Sequence, residues 1–124
     1  MADKRVLILE DNRELLRLYG KMLTAEGYIV HEADSLAAAR DHLELYRFDA
    51  CLLDFEVGAR CGIELLAAAP VLHTSRTRTV VMSVADHHRR LCEMIGLEFH
   101  LKPLMRRDLA RLVDATAPST AAIN

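Results

Sequence analysis

The 124-residue chain lacks any long apolar run. Its longest stretch without Asp, Glu, Lys or Arg, Leu65 to Ser75, falls far short of the ~20 apolar residues that cross a bilayer. Its start, Met-Ala-Asp-Lys-Arg, lacks the apolar stretch of a signal peptide, so a cytoplasmic chain with no membrane contact is expected. An excess of one charge is missing too. The formal net charge is -2, which gives no general attraction to nucleic acid or to an anionic membrane. Cysteine is scarce: Cys51, Cys61 and Cys92 are an odd number without metal-type spacing and read as reduced thiols. No internal repeat or low-complexity segment occurs. No glycine-rich phosphate loop follows the first apolar run, where Asn12-Arg13-Glu14 stand instead, and this argues against a nucleotide-binding enzyme.

What is present is a chain long enough for one domain with a real core, with 52% hydrophobic and 27% charged residues. Strand and helix patterns alternate five times. The strands are read at Arg5 to Leu9, Tyr28 to Glu32, Asp49 to Leu53, Thr79 to Val84 and Phe99 to Leu101. The helices are read at Asn12 to Glu26, from a cap at Asp34 or Ser35 to Tyr46, Gly62 to Ala69, Asp86 to Ile95 and Met105 to Ala115. In the first helix Leu15, Leu18, Tyr19, Met22 and Leu23 form the expected apolar side, and Gly27 is the expected stop. Pro70 is expected to end or bend the third helix. The second strand is the most polar and is therefore placed at an edge. Strands alternating with helices predict βαβ units and a parallel sheet.

Two apolar runs end in acid. Val6-Leu7-Ile8-Leu9 leads into Glu10-Asp11, and Cys51-Leu52-Leu53 leads into Asp54. Such continuous runs mark strands buried on both faces, and ligands of open parallel sheets bind at the strands' carboxyl ends. Three carboxylates are thus expected at one edge, repelling by ~4 kcal/mol per close pair at an effective dielectric near 20. A divalent cation would offset that repulsion, and an all-oxygen donor set favours Mg²⁺ over Zn²⁺. Ser83 and Lys102 end the fourth and fifth strands and add a hydroxyl and an amine to the same crevice.

Together, Glu10-Asp11, Asp54, Ser83 and Lys102-Pro103, each after its own strand, resemble the receiver domain of two-component response regulators. Gly62 fits as well, since the family places a glycine eight residues after its phosphoacceptor. Taken singly, each of these residues has an ordinary reading as a solvated loop residue, a helix cap or a strand exit; the ordered set carries the resemblance. It implies a flavodoxin-like, doubly wound (βα)5 fold with strand order 2-1-3-4-5. It implies that Asp54 accepts a phosphoryl group from a histidine kinase or phosphotransfer protein. By the same resemblance Glu10, Asp11, Asp54 and the backbone carbonyl of Glu56 hold Mg²⁺, Ser83 and Lys102 bind the phosphoryl oxygens, and Ser83 with Phe99 forms the switch. The chain would be a signalling module rather than an enzyme, with only phosphotransfer to its own aspartate and slow self-dephosphorylation.

Several positions depart from the family. Val84 stands where alanine or another small residue is usual, and its bulk is expected to narrow access to the phosphoryl group. Val57-Gly58 replace a frequent Met-Pro pair, so the loop after Asp54 is expected to be freer. The spacing from Ser83 to Lys102 is short, which requires a shortened fourth helix or shortened flanks. Gly96-Leu97-Glu98 replace a more polar loop. Glu56 and Ala85 flank the expected path of hydrolytic water; Ala85 cannot orient a water, and a long-lived phosphoryl state is expected.

The remaining candidates read as structural. His87-His88 with Arg89-Arg90 read as a solvated face at the start of the fourth helix, and His31, His42, His73 and His100 show no ligand spacing. Cys51 reads as a core residue. The expected organisation is a receiver over 1–116 with a flexible tail over 117–124. Output is expected through protein contacts to a downstream target, or through a homodimer of the fourth helix, fifth strand and fifth helix, with Arg106, Arg107 and Arg111 supplying charge there. The alternative is an unphosphorylated pseudo-receiver that acts as an interaction scaffold.

Overall fold

The computed structural model describes residues 4–69 and 77–113. Pro70, His73, the end of the fifth helix beyond Val113 and the expected tail lie outside the described residues. The elements in order are β1 (Arg5–Leu9), α1 (Arg13–Ala25), β2 (Ile29–Ala33), α2 (Leu36–Leu45), β3 (Ala50–Asp54), β4 (Glu56–Val57), β5 (Arg60–Cys61), α3 (Glu64–Ala68), β6 (Arg78–Ser83), α4 (His88–Met94), β7 (Glu98–Leu101) and α5 (Arg106–Val113). Five strands form one parallel sheet in the order β2-β1-β3-β6-β7, with the polar β2 at an edge. The five strands expected from the sequence are those five, in the expected order. β4 and β5 are an added antiparallel hairpin.

The sheet separates two apolar layers. Val6, Ile8, Ala50, Leu52, Val80 and Met82 point to one face, where α1 brings Leu16, Tyr19 and Leu23 and α5 brings Leu109, Leu112 and Val113. Leu7, Leu9, Cys51 and Leu53 point to the other, against Ala39 of α2, Phe48, Val57 and Leu65 and Leu66 of α3. Alternate residues face opposite sides of a strand, so a run apolar at every position feeds both layers.

Local chemistry sets the helix ends. Asn12 caps α1 by accepting the Glu14 and Leu15 N–H groups, and Gly27 leaves the helix at φ 96°, a conformation open to glycine. Ser35, not Asp34, caps α2 by accepting the Ala38 N–H, while Asp34 pairs with Arg13 at 3.1 Å. One helix face is corrected. The buried stripe of α1 is Leu16, Tyr19, Gly20 and Leu23, whereas Leu18 is 45% exposed. Those four positions follow i, i+3, i+4, i+7, and the Glu32 side chain lies over Gly20. α4 is also shorter than expected. Asp86 and His87 form a turn whose Ala85 and Asp86 carbonyls accept from the His88 and Arg89 N–H groups, so the short spacing before Lys102 is absorbed in α4 and its entry.

Candidate functional site

Strand register assembles the site. Leu9 pairs with Leu53, so Glu10 stands beside Asp54 just past the end of β1. Asp54 pairs with Met82 and Ser83 with Leu101, which puts Ser83 and Lys102 one step further along. All of these line one cavity of about 280 Å³, together with Asp11, Glu56, Gly58 and Val84.

Burial then decides how the charges behave. Glu10, Asp54 and Ser83 are buried, at 1%, 4% and 2% exposure. Lys102 Nζ donates to Glu10 Oε1 at 2.7 Å and lies 3.2 Å from Asp54 Oδ1. The second Glu10 oxygen accepts the Asn12 N–H at 3.1 Å. Burial pushes the Asp54 carboxyl above its ordinary range, and the hydrogen bond and charge of Glu10 push the same way, while Lys102 pulls back only part. Burial pulls the Lys102 ammonium down, but the Glu10 hydrogen bond and the Asp54 and Glu10 charges outweigh it and leave it raised.

Asp11 is exposed and carries its carboxylate on the open side of the cluster, where Oδ2 accepts the Gly58 N–H at 2.8 Å. One carboxylate oxygen from each of Glu10, Asp11 and Asp54 falls within 4.8 Å of the others. Three acidic oxygens at that spacing can ligate one hard divalent cation, so the residues fit such a group.

The loop after Asp54 has regular pairing of its own. It closes as the β4–β5 hairpin, with Glu56 opposite Cys61 and Val57 opposite Arg60. Gly58 turns the hairpin at φ 62° and is tied to Asp11. Gly62 follows with its Cα against the Asp54 carbonyl, so close that a Cβ would sit 1.9 Å from that oxygen. Its N–H donates to the Phe55 carbonyl at 2.7 Å. The glycine is there because the backbone at the end of β3 leaves no room for a side chain.

Val84 lines the cavity but is 72% exposed, so much of its bulk faces solvent instead of filling the entrance. Phe99 is half-buried on β7, with the Arg89 guanidinium 4.8 Å above its ring. Arg106 is turned toward α1, where it pairs with Glu26 at 3.1 Å, so it does not add its charge to the α4 side.

Sequence reasoning missed two histidine arrangements. His87 is exposed as expected, but His88 is not part of a solvated face. Its side chain is 14% exposed, its ring stacks on Phe55, and its Nδ1 lies 2.7 Å from Ser83 Oγ. Its offset of five residues from Ser83 matches no helical contact rule. His31 and His42, eleven residues apart on β2 and α2, bring their Nδ1 atoms to 3.0 Å. The other nitrogen of His31 meets the Arg5 guanidinium, so this pair is a structural brace rather than a cation site.

A doubly wound parallel sheet with clustered carboxylates and a lysine at its carboxyl edge is the architecture of a signalling receiver. The family model of the response regulator receiver domain matches residues 6–114, and the chain belongs to that family. CpdR, a response regulator receiver protein of Brucella abortus, is 26% identical over 119 residues, covering 90% of this chain and 99% of that protein. AlgB, the alginate biosynthesis transcriptional regulatory protein of Pseudomonas putida, is 38% identical over 63 residues, which are 51% of this chain and only 14% of that relative. Among solved structures, a CheY-like receiver from Methanospirillum hungatei aligns with TM-score 0.76 and 25% identity, covering 87% of this chain and 88% of that one. A response regulator from Burkholderia pseudomallei, solved with a phosphorylated aspartic acid, calcium ion and citrate, aligns with TM-score 0.80 and 20% identity over 93% of this chain and 69% of that one. At that identity the likeness is one of fold. Receiver domains of this kind are signalling modules rather than enzymes in their own right. No helix among the described residues is long and apolar enough to cross a membrane.

Proposed function

We propose that the chain is a phospho-accepting receiver in which Asp54 takes a phosphoryl group from a histidine kinase or a phosphotransfer protein. The observation that carries this reading is the surroundings of Asp54: two other carboxylates with oxygens within 4.8 Å, and the Lys102 ammonium at 3.2 Å. An Asp54 carboxylate oxygen attacks the donor's phosphorus, the phosphorus–nitrogen bond breaks, and the imidazole of the donor histidine leaves with the electron pair. The Burkholderia neighbour, solved with a phosphorylated aspartic acid and a calcium ion, supports both the acceptor and the cation.

Glu10, Asp11 and Asp54, with the Glu56 carbonyl, would hold Mg²⁺, which supplies positive charge against the incoming phosphoryl oxygens. Lys102 adds a second positive charge from the buried side. Because Lys102 also bridges Glu10 and Asp54, it keeps the nucleophile oriented before any donor arrives. Ser83 donates its hydroxyl to a phosphoryl oxygen and so reports the modified state, and Phe99 turns inward as Ser83 moves.

The output surface is the face of α4, β7 and α5. Leu91, Met94, Ile95, Leu101 and Met105 are exposed there, an apolar surface suited to a downstream protein or to a second copy. The deciding experiment is incubation with a small phosphodonor and Mg²⁺, followed by intact mass measurement. The parent gains one phosphoryl group and Asp54→Asn gains none. A parent that stays unmodified makes the chain a pseudo-receiver scaffold, and an Asp54→Asn variant modified as fast as the parent moves the acceptor elsewhere.

A further inference from the structure

The Ser83 hydroxyl carries one proton and two lone pairs. One lone pair accepts the Ala85 N–H at 3.0 Å, and the remaining contact is with His88 Nδ1 at 2.7 Å. His88 is held for that contact from one more side. Its ring lies flat on Phe55, with centroids 3.7 Å apart and planes 12° apart, while Nε2 stands 3.9 Å from the exposed Glu56 carboxylate, beyond hydrogen-bond distance. Phe55 and Glu56 directly follow Asp54, and His88 is the first residue of α4. One imidazole thus touches a hydroxyl of the cavity that Asp54 lines and the residue after Asp54, and it opens the helix that leads to the exposed apolar face.

We propose that His88 is a positioning residue that holds the Ser83 hydroxyl in its resting place, so that a phosphoryl oxygen on Asp54 must take Ser83 away from it. The proposal rests on the phosphoacceptor reading above. Its consequence is a short path to the output surface. When Ser83 turns toward Asp54, His88 loses its partner, and the loss falls on the first residue of α4. Phe99 lies further along this path, its ring under the guanidinium of Arg89, the next residue of the same helix.

Two variants separate the hydrogen bond from the ring stack. His88→Phe keeps an aromatic ring on Phe55 and removes Nδ1. His88→Asn removes the ring and returns an amide close to the place of Nδ1. With a small phosphodonor and Mg²⁺, His88→Phe should be phosphorylated faster than the parent by roughly threefold to tenfold, the range that the net worth of one hydrogen bond gives. Its Ser83 and Ala85 backbone amide signals should already be shifted before any donor is added. His88→Asn should stay near the parent in both measurements. A His88→Phe variant with the parent's rate and unmoved amide signals overturns the proposal. So does slower phosphorylation in both variants that follows their loss of thermal stability, because that is what mere packing predicts. The resting amide signals need no phosphorylation, so they test the His88–Ser83 contact even where an unmodified parent has removed the phosphoacceptor reading.

Discussion

The carboxyl edge of the sheet has two unlike halves. In β1 and β3 every residue but Arg5 is buried, and Glu10 and Asp54 are held in place by the Lys102 ammonium. On the β7–α4 side β7 buries none of its residues, α4 buries only Cys92, and Met94 and Ile95 are 75% and 51% exposed. The difference divides the work. Deep burial fixes the geometry that the chemistry needs, and it raises the proton affinity of Asp54, which a bound cation would offset. Shallow packing leaves elements that shift at small cost, which a switch needs. Ser83 closes a run of four buried residues at the end of β6 and His88 begins α4, which buries only Cys92, so the boundary between the halves falls between them.

The sharpest way to break the buried half is Gly62→Ala. The new methyl would collide with the backbone carbonyl of Asp54, which cannot swing aside as a side chain would. A loss on the order of 1–3 kcal/mol is expected in denaturant unfolding, together with slowed phosphorylation. A variant as stable as the parent would show that the hairpin moves freely from the strand, and the rigid half would lose its meaning.

A smaller effect concerns charge. The ordinary value of an aspartate carboxyl is near 3.8, and the folded value of Asp54 lies above it. Between those values the native state holds a proton that the unfolded chain has released. Without metal, stability is therefore full below the ordinary value and declines as pH rises through the raised one. Asp54→Asn cannot ionise and should escape that decline. Its melting temperature should exceed the parent's by several degrees at about pH 8, and the gap should shrink at about pH 5. An equal gap at both pH values would mean that the carboxyl of Asp54 is not strained by its surroundings.

The smallest effect on stability belongs to the other half. Met94→Ser should leave the unfolding free energy within about 0.5 kcal/mol of the parent, because the side chain is already in solvent. It should still weaken any self-association of the phosphorylated protein seen by sedimentation. A large loss of stability would place Met94 in a core and remove the contrast.

Much of this was legible in the sequence because the two halves differ in pattern as well. β1 is found at its expected limits, since a run apolar at every step reads as a strand covered on both faces. Asn12 and Gly27 bound α1 through side-chain and backbone preferences that act locally. Glu10, Asp11, Asp54, Ser83 and Lys102 converge because register carries strand-end residues to one edge. What stayed hidden depends on tertiary contact. The β4–β5 hairpin has two residues in each strand, too few to show alternation. Gly20 takes a buried position of α1 beneath the Glu32 side chain, and no local propensity reports that contact. His88 leaves the solvated face for the ring of Phe55 and the hydroxyl of Ser83, and His31 finds His42 only after the second helix packs on the edge strand.

Tyr19 lies where it can report on the site. The chain has no tryptophan, so its near-ultraviolet absorption and intrinsic fluorescence come mainly from three tyrosines. Tyr46 is 43% exposed beside the His31 brace and Tyr28 is half-buried, but Tyr19 is 1% exposed under the site. Its hydroxyl is 3.4 Å from the Leu104 N–H, two residues beyond Lys102, and it feels the charges of Lys102, Glu10 and Asp54. The protein thus carries an optical probe beneath its acidic cluster: a change of charge there acts on a buried phenol, and its share of the three-tyrosine spectrum should shift without any label.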